Sequence, residues 1–224
     1  MFWRKNNQIN KSRTRFEHLL MVANQLPKAA LPDLLRAIVR PIQSEFLLVV
    51  AEEGSDARPD LDEDSFFFAG ISQLLDIDKM NLAEKNNADY PLSLATDMVL
   101  PWPWKMERYL SNLSTIGTSK GNPWKQDFGN HYVTVWLPWK IGFVKGGNHS
   151  IMAGILAGEG IVIPNHVYDM SYLFEKIKTD GVYWYVNGHK KEAIGSWRHA
   201  AFFEIGRLLI DYVPDYGSSS CSHT

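Results

Sequence analysis

The stretch Lys145–Gly160, KGGNHSIMAGILAGEG, decides how this chain is read. Two glycines and an Asn-His pair stand directly before an apolar run of small residues with the character of a helix. Glycine lets the backbone turn sharply and lets a ligand approach without meeting a Cβ. The first N–H groups of a helix beginning near His149 or Ser150 have no intrahelical partners, and the helix dipole makes that end partly positive. Such an end binds phosphate or carboxylate. Ala153, Gly154, Ala157 and Gly158 would then let the helix pack closely on a sheet. The same residues also read as a strand-to-helix turn with no ligand, so the neighbouring elements have to weigh in.

Upstream, DMVLPWPW (97–104) reads as a short strand ended by prolines, and KMERYLSNLSTIG (105–117) as an amphipathic helix stopped by Gly117. After a polar Gly/Pro loop, HYVTVWLPW and KIGFVKGG are two strand-like runs joined at Pro138, rich in β-branched and aromatic residues. Downstream, IVIPNHVYDM (161–170) reads as one more strand and SYLFEKIK as a short helical stretch. GVYWYVNGHKKEA follows as a hairpin turning at Asn187-Gly188, which suits a type I′ turn. SWRHAAFFEIGRLLID closes the pattern as a helix with Ser196 as N-cap, in which Glu204 and Arg207 form a structural i, i+3 pair.

Before residue 92 the spacing is helical. Phe16, Leu19, Leu20, Val22 and Ala23 make one apolar stripe, and Leu34, Leu35, Ile38 and Val39 a second, with Pro32 near a helix start. Residues 51–64 are an acidic, Gly/Pro-punctuated loop, and SFFFAGISQLLD (65–76) reads as a further helix capped by Ser65. The expected organisation is a helical N-terminal region over 1–92, an α/β core with a C-terminal hairpin and helix over 93–216, and a disordered tail over 217–224.

The chain has 224 residues, 45% of them hydrophobic and 21% charged, ordinary values for a globular protein with a sizeable core. Twenty-three basic and 25 acidic side chains leave a formal charge of −2, which speaks against an extended nucleic-acid surface while leaving room for a local basic patch. The lone Cys221 excludes a disulfide framework and a thiolate metal cluster, and fits a reducing cytoplasm. No apolar run is long enough to span a membrane, and no signal-peptide apolar region follows the basic N-terminus. A cytoplasmic protein without a membrane partner is expected.

The order of elements from Asp97 to Pro164 resembles the ParB/sulfiredoxin-like superfamily. That family's pattern is a strand with a proline-rich end, a helix carrying an Arg, a strand pair, a Gly-x-x-[His/Arg]-Arg turn, an Ala-rich helix ending in Ala-Gly, and a closing strand. Here these are DMVLPWPW, KMERYLSNLSTIG, HYVTVWLPWKIGFV, GGNHSIMAGILAG and IVIP, about seventy of the 224 residues. The resemblance implies an α+β fold with a ParB/sulfiredoxin-like mixed sheet. It also implies a nucleotide phosphate at the Gly-rich turn, surrounded by Gly146, Gly147, Asn148, His149 and Ser150, with Arg108 adding charge. The sequence departs from the pattern twice. Asn148 stands where the sulfinic-acid reductases need a cysteine, which removes that chemistry. Ser150 replaces the Arg that usually follows the His, which removes a bidentate phosphate ligand, and Lys145 would substitute as a point charge.

The resulting expectation is a nucleotide hydrolase or phosphotransferase acting on a small-molecule nucleotide or phosphate, with a nucleoside triphosphate and Mg²⁺ as the bound group. Relatives with this core also occur in plasmid, phage and defence-linked genes. The alternatives are a nucleic-acid-binding or nuclease module of the same fold, and an inactive module that docks a protein partner or a second copy. Three Asn-His pairs, at His131, His149 and His166, would sit near one end of the sheet, where imidazoles could act as acid and base. No histidine pair has the i, i+4 spacing of a helical metal site, and only Asp127 and Asp169 are at hand as helpers, so no protein-held metal is assigned. Of the eight tryptophans, five lie between 102 and 139; core and loop anchoring outweighs a base-stacking lip as their expected role.

Overall fold

The strands around the Gly-rich turn are buried on both faces, which explains their unbroken apolar sequence. In the computed structural model, which describes residues 2–59 (side chains from Asn10), 63, 65–67 and 85–210, four strands form a mixed sheet. They are β2 (Met98–Leu100), β3 (Val133–Leu137), β4 (Ile141–Val144) and β6 (His166–Asp169), in the order β2-β4-β3-β6. β2 runs parallel to β4, β4 antiparallel to β3, and β3 parallel to β6. Side chains alternate between the faces. Trp136, Ile141 and Phe143 join a large buried cluster on one side, while Val133, Val135 and Val144 join a second cluster on the other.

The large cluster is covered by α1 (Phe2–Gln25), α2 (Leu31–Glu53) and α6 (Trp197–Arg207). Leu35, Ile38 and Val39 of α2 and Phe16 of α1 share it with Met98 and Phe143, so the N-terminal helices and the sheet have one core. The second face is covered by α4 (Asn148–Ala157) and by a two-stranded pairing of β1 (Leu92–Ser93) with β5 (Ile161–Val162). Between β2 and β3 lies α3 (Met106–Thr115), whose Tyr109 packs with Met152 of α4 and with Leu47 and Val50 of α2.

The expectation of an α+β chain with a mixed sheet, a helical N-terminal portion and a C-terminal hairpin plus helix matches these elements. The hairpin consists of β8 (Tyr183–Val186) and β9 (His189–Ala193), with β7 (Ile177–Thr179) on its other side. Asn187 and Gly188 both have positive φ, as a type I′ turn requires. Ser196 caps α6 by accepting a hydrogen bond from the Arg198 N–H.

Three local expectations need correction. The strand read over 161–170 is two strands, because Pro164 has no N–H to donate and Asn165 turns aside to cap β3, exchanging hydrogen bonds with Val133. The helical stretch SYLFEKIK is a single turn, α5 (Leu173–Lys176), after which Ile177 enters β7. Of the small residues in α4, only Ala153 and Gly154 are buried. A Cβ on Gly154 would press on Leu94 and Trp124. Ala157 and Gly158 are exposed, Gly158 being the left-handed C-cap. Of the helix read over 65–76, only Ser65–Phe67 are described, as a turn and bends; the tail 217–224 lies outside the described residues.

Candidate functional site

The turn that opens α4 is set by backbone packing. Gly147 is its N-cap, with φ of 75°, and the Ile151 N–H donates to the Gly147 carbonyl at 2.9 Å. No side chain caps this end. The N–H groups of Asn148, His149 and Ser150 therefore have no partner within the helix. The two glycines leave room for the chain itself, not for a ligand. A Cβ on Gly146 would lie 2.6 Å from the Asn130 carbonyl oxygen and 2.7 Å from Tyr132 Cδ2, and one on Gly147 would overlap the His131 ring. This corrects the reading that Gly146 and Gly147 are bare so that phosphate can approach.

The Asn-His pair of the turn holds the proline-rich end of β2 in place. The Trp102 N–H donates to Asn148 Oδ1 at 2.7 Å, and the Lys105 N–H donates to His149 Nε2 at 3.1 Å. From α2's far end, the Asp56 N–H donates to the Trp104 carbonyl at 2.7 Å, and Ser55 Oγ accepts from Met106 N–H at 3.1 Å. The segment 102–106, which leads into α3, is thereby tied to the start of α4 and to the residues that follow α2. His149 is buried edge-on against Trp104, with ring centroids 4.8 Å apart. Burial, then the charge of Arg108, hold its pKa below the ordinary imidazole value. With Nε2 accepting, the neutral ring carries its proton on Nδ1.

His131 occupies the other side of the same turn. The Asp127 N–H donates to its Nδ1 at 2.9 Å, which leaves Nε2 protonated to donate to Ser150 Oγ at 3.0 Å. Its ring stacks on Trp124 at 4.9 Å, and Trp124 Nε1–H donates to the Ser150 carbonyl at 2.9 Å. Burial lowers the His131 pKa, with Asp127 opposing. Both ring nitrogens are engaged, so His131 is placed to position Ser150 and has no free nitrogen for proton transfer. His166 is exposed on β6 beside Thr134 of β3, its ring parallel to Tyr168. Thus His131 and His149 meet at the α4 turn, and His166 stands apart from the cavity there. Asp127 accepts from the Gly129 N–H, while Asp169 pairs with Lys85 and caps Ser171.

A cavity of about 290 Å³ opens at this helix start, lined by Trp104, Arg108, Asn112, Asn130 and residues 147–150. Arg108 comes from the first turn of α3 and is exposed. A second cavity, of about 310 Å³, shares Trp104 and Asn148 with it and adds Asp56, Arg58, Trp102, Val144 and Lys145. Lys145, expected to stand in as a point charge for the Arg that Ser150 replaces, pairs with Glu63 and lines this second cavity, not the first. Arg58 lies over the Trp102 ring at 4.9 Å, and Trp102 Nε1 is buried with no hydrogen-bond partner among the described residues.

The donor set suits an anion: one guanidinium, the open end of α4 and a neutral imidazole. It does not suit Mg²⁺, since no carboxylate is among the residues lining the first cavity. Among the described residues, no group of three His, Cys, Asp or Glu side chains could hold a metal ion.

Sequence reasoning missed Ser55, Asp56 and Arg58, which lie in the acidic stretch read as a solvated loop. It named Trp102 and Trp104 only as members of the tryptophan cluster, and the proline before each, Pro101 and Pro103, was the available signal. It also missed a cavity of about 720 Å³ at the opposite end of β3, where Asp97 pairs with Lys140 beside Trp139 and Tyr90. Trp136 and Trp139 are core residues, as expected from the sequence, and Trp184 joins them.

No described helix is long and apolar enough to cross a membrane. No curated protein and no solved structure matches the chain. A family model matches residues 3–213, nearly the whole chain, and on that ground the chain belongs to DUF6710, a family of unknown function.

Proposed function

We propose that the α4 turn binds the phosphate of a small molecule, a nucleotide in the first instance, and that the chain is a divergent ParB/sulfiredoxin-like hydrolase or phosphotransferase. The observation that carries this reading is the cavity at the uncapped start of α4, with Arg108 at its edge. The Arg108 guanidinium and the N–H groups of 148–150 would hold the phosphate oxygens. His149, proton on Nδ1 and Nε2 committed to Lys105, would serve as a hydrogen-bond donor and not as a base. The adjoining cavity is walled by Trp102 and Trp104 with Arg58 beside them, an aromatic surface on which a base would stack. Catalysis of phosphoryl transfer by such a site would rest on positioning and fixed positive charge.

One observation favours a second reading. The glycines, Asn148 and His131 are all engaged inside the protein, as they would be in a turn that only organises an interaction module. A thermal-shift screen of nucleotides and inorganic phosphate separates the two, run on the native chain and on Arg108→Ala. Arg108 is exposed, so its loss leaves the fold intact. The expected result is a rise in Tm with a phosphate compound that Arg108→Ala reduces. No rise with any compound would overturn the binding site and leave the interaction module; an equal rise in both proteins would move the site elsewhere.

A further inference from the structure

We propose that an open groove between α1 and the turn preceding α6 binds the sugar–phosphate backbone of nucleic acid. The formal charge of the chain is −2, yet residues 1–16 contain Arg4, Lys5, Lys11, Arg13 and Arg15 and no acidic residue. The groove, of about 980 Å³, is lined by Lys11, Ser12, Thr14 and Arg15 of α1 and by Ser196 and Trp197 across from them, with no carboxylate among its lining residues. The Trp197 ring carries two guanidiniums, Arg15 at 5.8 Å and Arg198 at 5.1 Å from its centroid. Stacking of that kind orders an Arg fork without consuming its N–H donors. Arg13 faces away, paired with Asp180 at 3.1 Å, which leaves Lys11 and Arg15 as the α1 cations of the groove.

Three features select a polyanion. Lys11 and Arg15 are four residues apart, about 6 Å along the helix, so the cations form a row and not a cage around one phosphate. The hydroxyls of Ser12, Thr14 and Ser196 add the neutral donors that accompany cations at phosphate backbones. Residues 10–15 of α1, Asn-Lys-Ser-Arg-Thr-Arg, include no apolar side chain, and the apolar lining is confined to Ile194 and to Trp197 beneath its two guanidiniums, so this stretch of α1 lacks the apolar face of a bilayer-bound helix. The near-neutral total charge hides the patch, because acidic residues elsewhere cancel it.

The test is fluorescence anisotropy of a labelled single strand and of the matching duplex, titrated with the full chain at low salt. The two arms show which form supplies the backbone. Binding is expected that weakens as salt rises, and Lys11→Glu should weaken it further and lower the slope of log affinity against log salt by about 1. Lys11 is exposed, so the variant keeps the native Tm, and Lys125→Glu, outside the groove, should bind as the native chain does. Absence of binding to both nucleic acids, or binding that Lys11→Glu leaves unchanged, overturns the proposal. So does capture by phosphatidylserine vesicles without nucleic-acid binding. Neither outcome bears on the phosphate cavity at α4, which shares no residue with this groove.

Discussion

At Gly147 two requirements coincide on one residue. The backbone is left-handed, with φ of 75°, and the His131 ring occupies the place a Cβ would take. Ala in the left-handed region costs about 1–2 kcal/mol, and displacing the ring also breaks its bonds to Asp127 and Ser150. Gly147→Ala is therefore expected to lower unfolding stability by more than about 2 kcal/mol in a denaturant titration. Gly121 provides the control. Its φ is 74°, but nothing lies within 4 Å of an added Cβ, so Gly121→Ala should show only the backbone cost. Equal losses at the two glycines would mean that His131 is not locked over the turn. The presence of the glycine pair could be read from the sequence, but its cause could not. Asn148 meets Trp102 across 46 positions, His149 meets Lys105 across 44, and His131 meets Ser150 across 19. Distant side chains set these roles, and no local pattern encodes them.

At the scale of the elements, packing in α6 reverses a propensity rule. Gly206 sits in its last turn, where Ala would ordinarily add up to about 1 kcal/mol of helix stability. Here the added Cβ would collide with the Trp139 indole, which is buried and donates from Nε1 to the Phe202 carbonyl at 2.9 Å. Gly206→Ala should thus destabilise the protein, by about 1–3 kcal/mol as overpacking does, and shift Trp139 fluorescence. A stabilised variant would show that α6 can slide away from the sheet. The same helix also ties down β7, since Glu204 accepts from the Thr179 N–H and Arg207 donates to the Ile177 carbonyl. The Ser196 cap, the Asn187-Gly188 turn and the strand pair β3–β4 were legible because each is signalled by adjacent residues. The break between β5 and β6 was not, since an apolar run around Pro164 looks continuous until Asn165 is seen capping Val133.

For the whole molecule, the consequence of sharing one core between α1, α2, the sheet and α6 is that a charge formed inside it is felt globally. His199 lies there, 8% exposed and 5.1 Å from the Phe66 ring, and burial pushes its pKa down from 6.5 to about 4. The folded state keeps this imidazole neutral while the unfolded chain protonates it at the ordinary value. Its contribution is then complete above pH 6.5 and is lost as pH falls from 6.5 towards about 4. The slope approaches ~1.4 kcal/mol per pH unit for one proton. His131 and His149, also lowered by burial, act in the same direction. The lowered carboxylates Glu159 and Asp180 add to the fall at the acid end of this window, because the unfolded chain protonates them around the ordinary values of 4.5 and 3.8 while the folded state still holds them ionised. Urea unfolding at successive pH values should therefore show a fall dominated by histidines from pH 6.5 to about 5, with the carboxylates joining below that. His199→Phe, apolar in an aromatic surround, should flatten that fall by nearly one proton's worth of slope while leaving the part due to the α4 turn. A profile identical to that of the native chain would mean that water or a rearranged α6 lets His199 ionise in place, and that the core is less closed at this end than its burial implies.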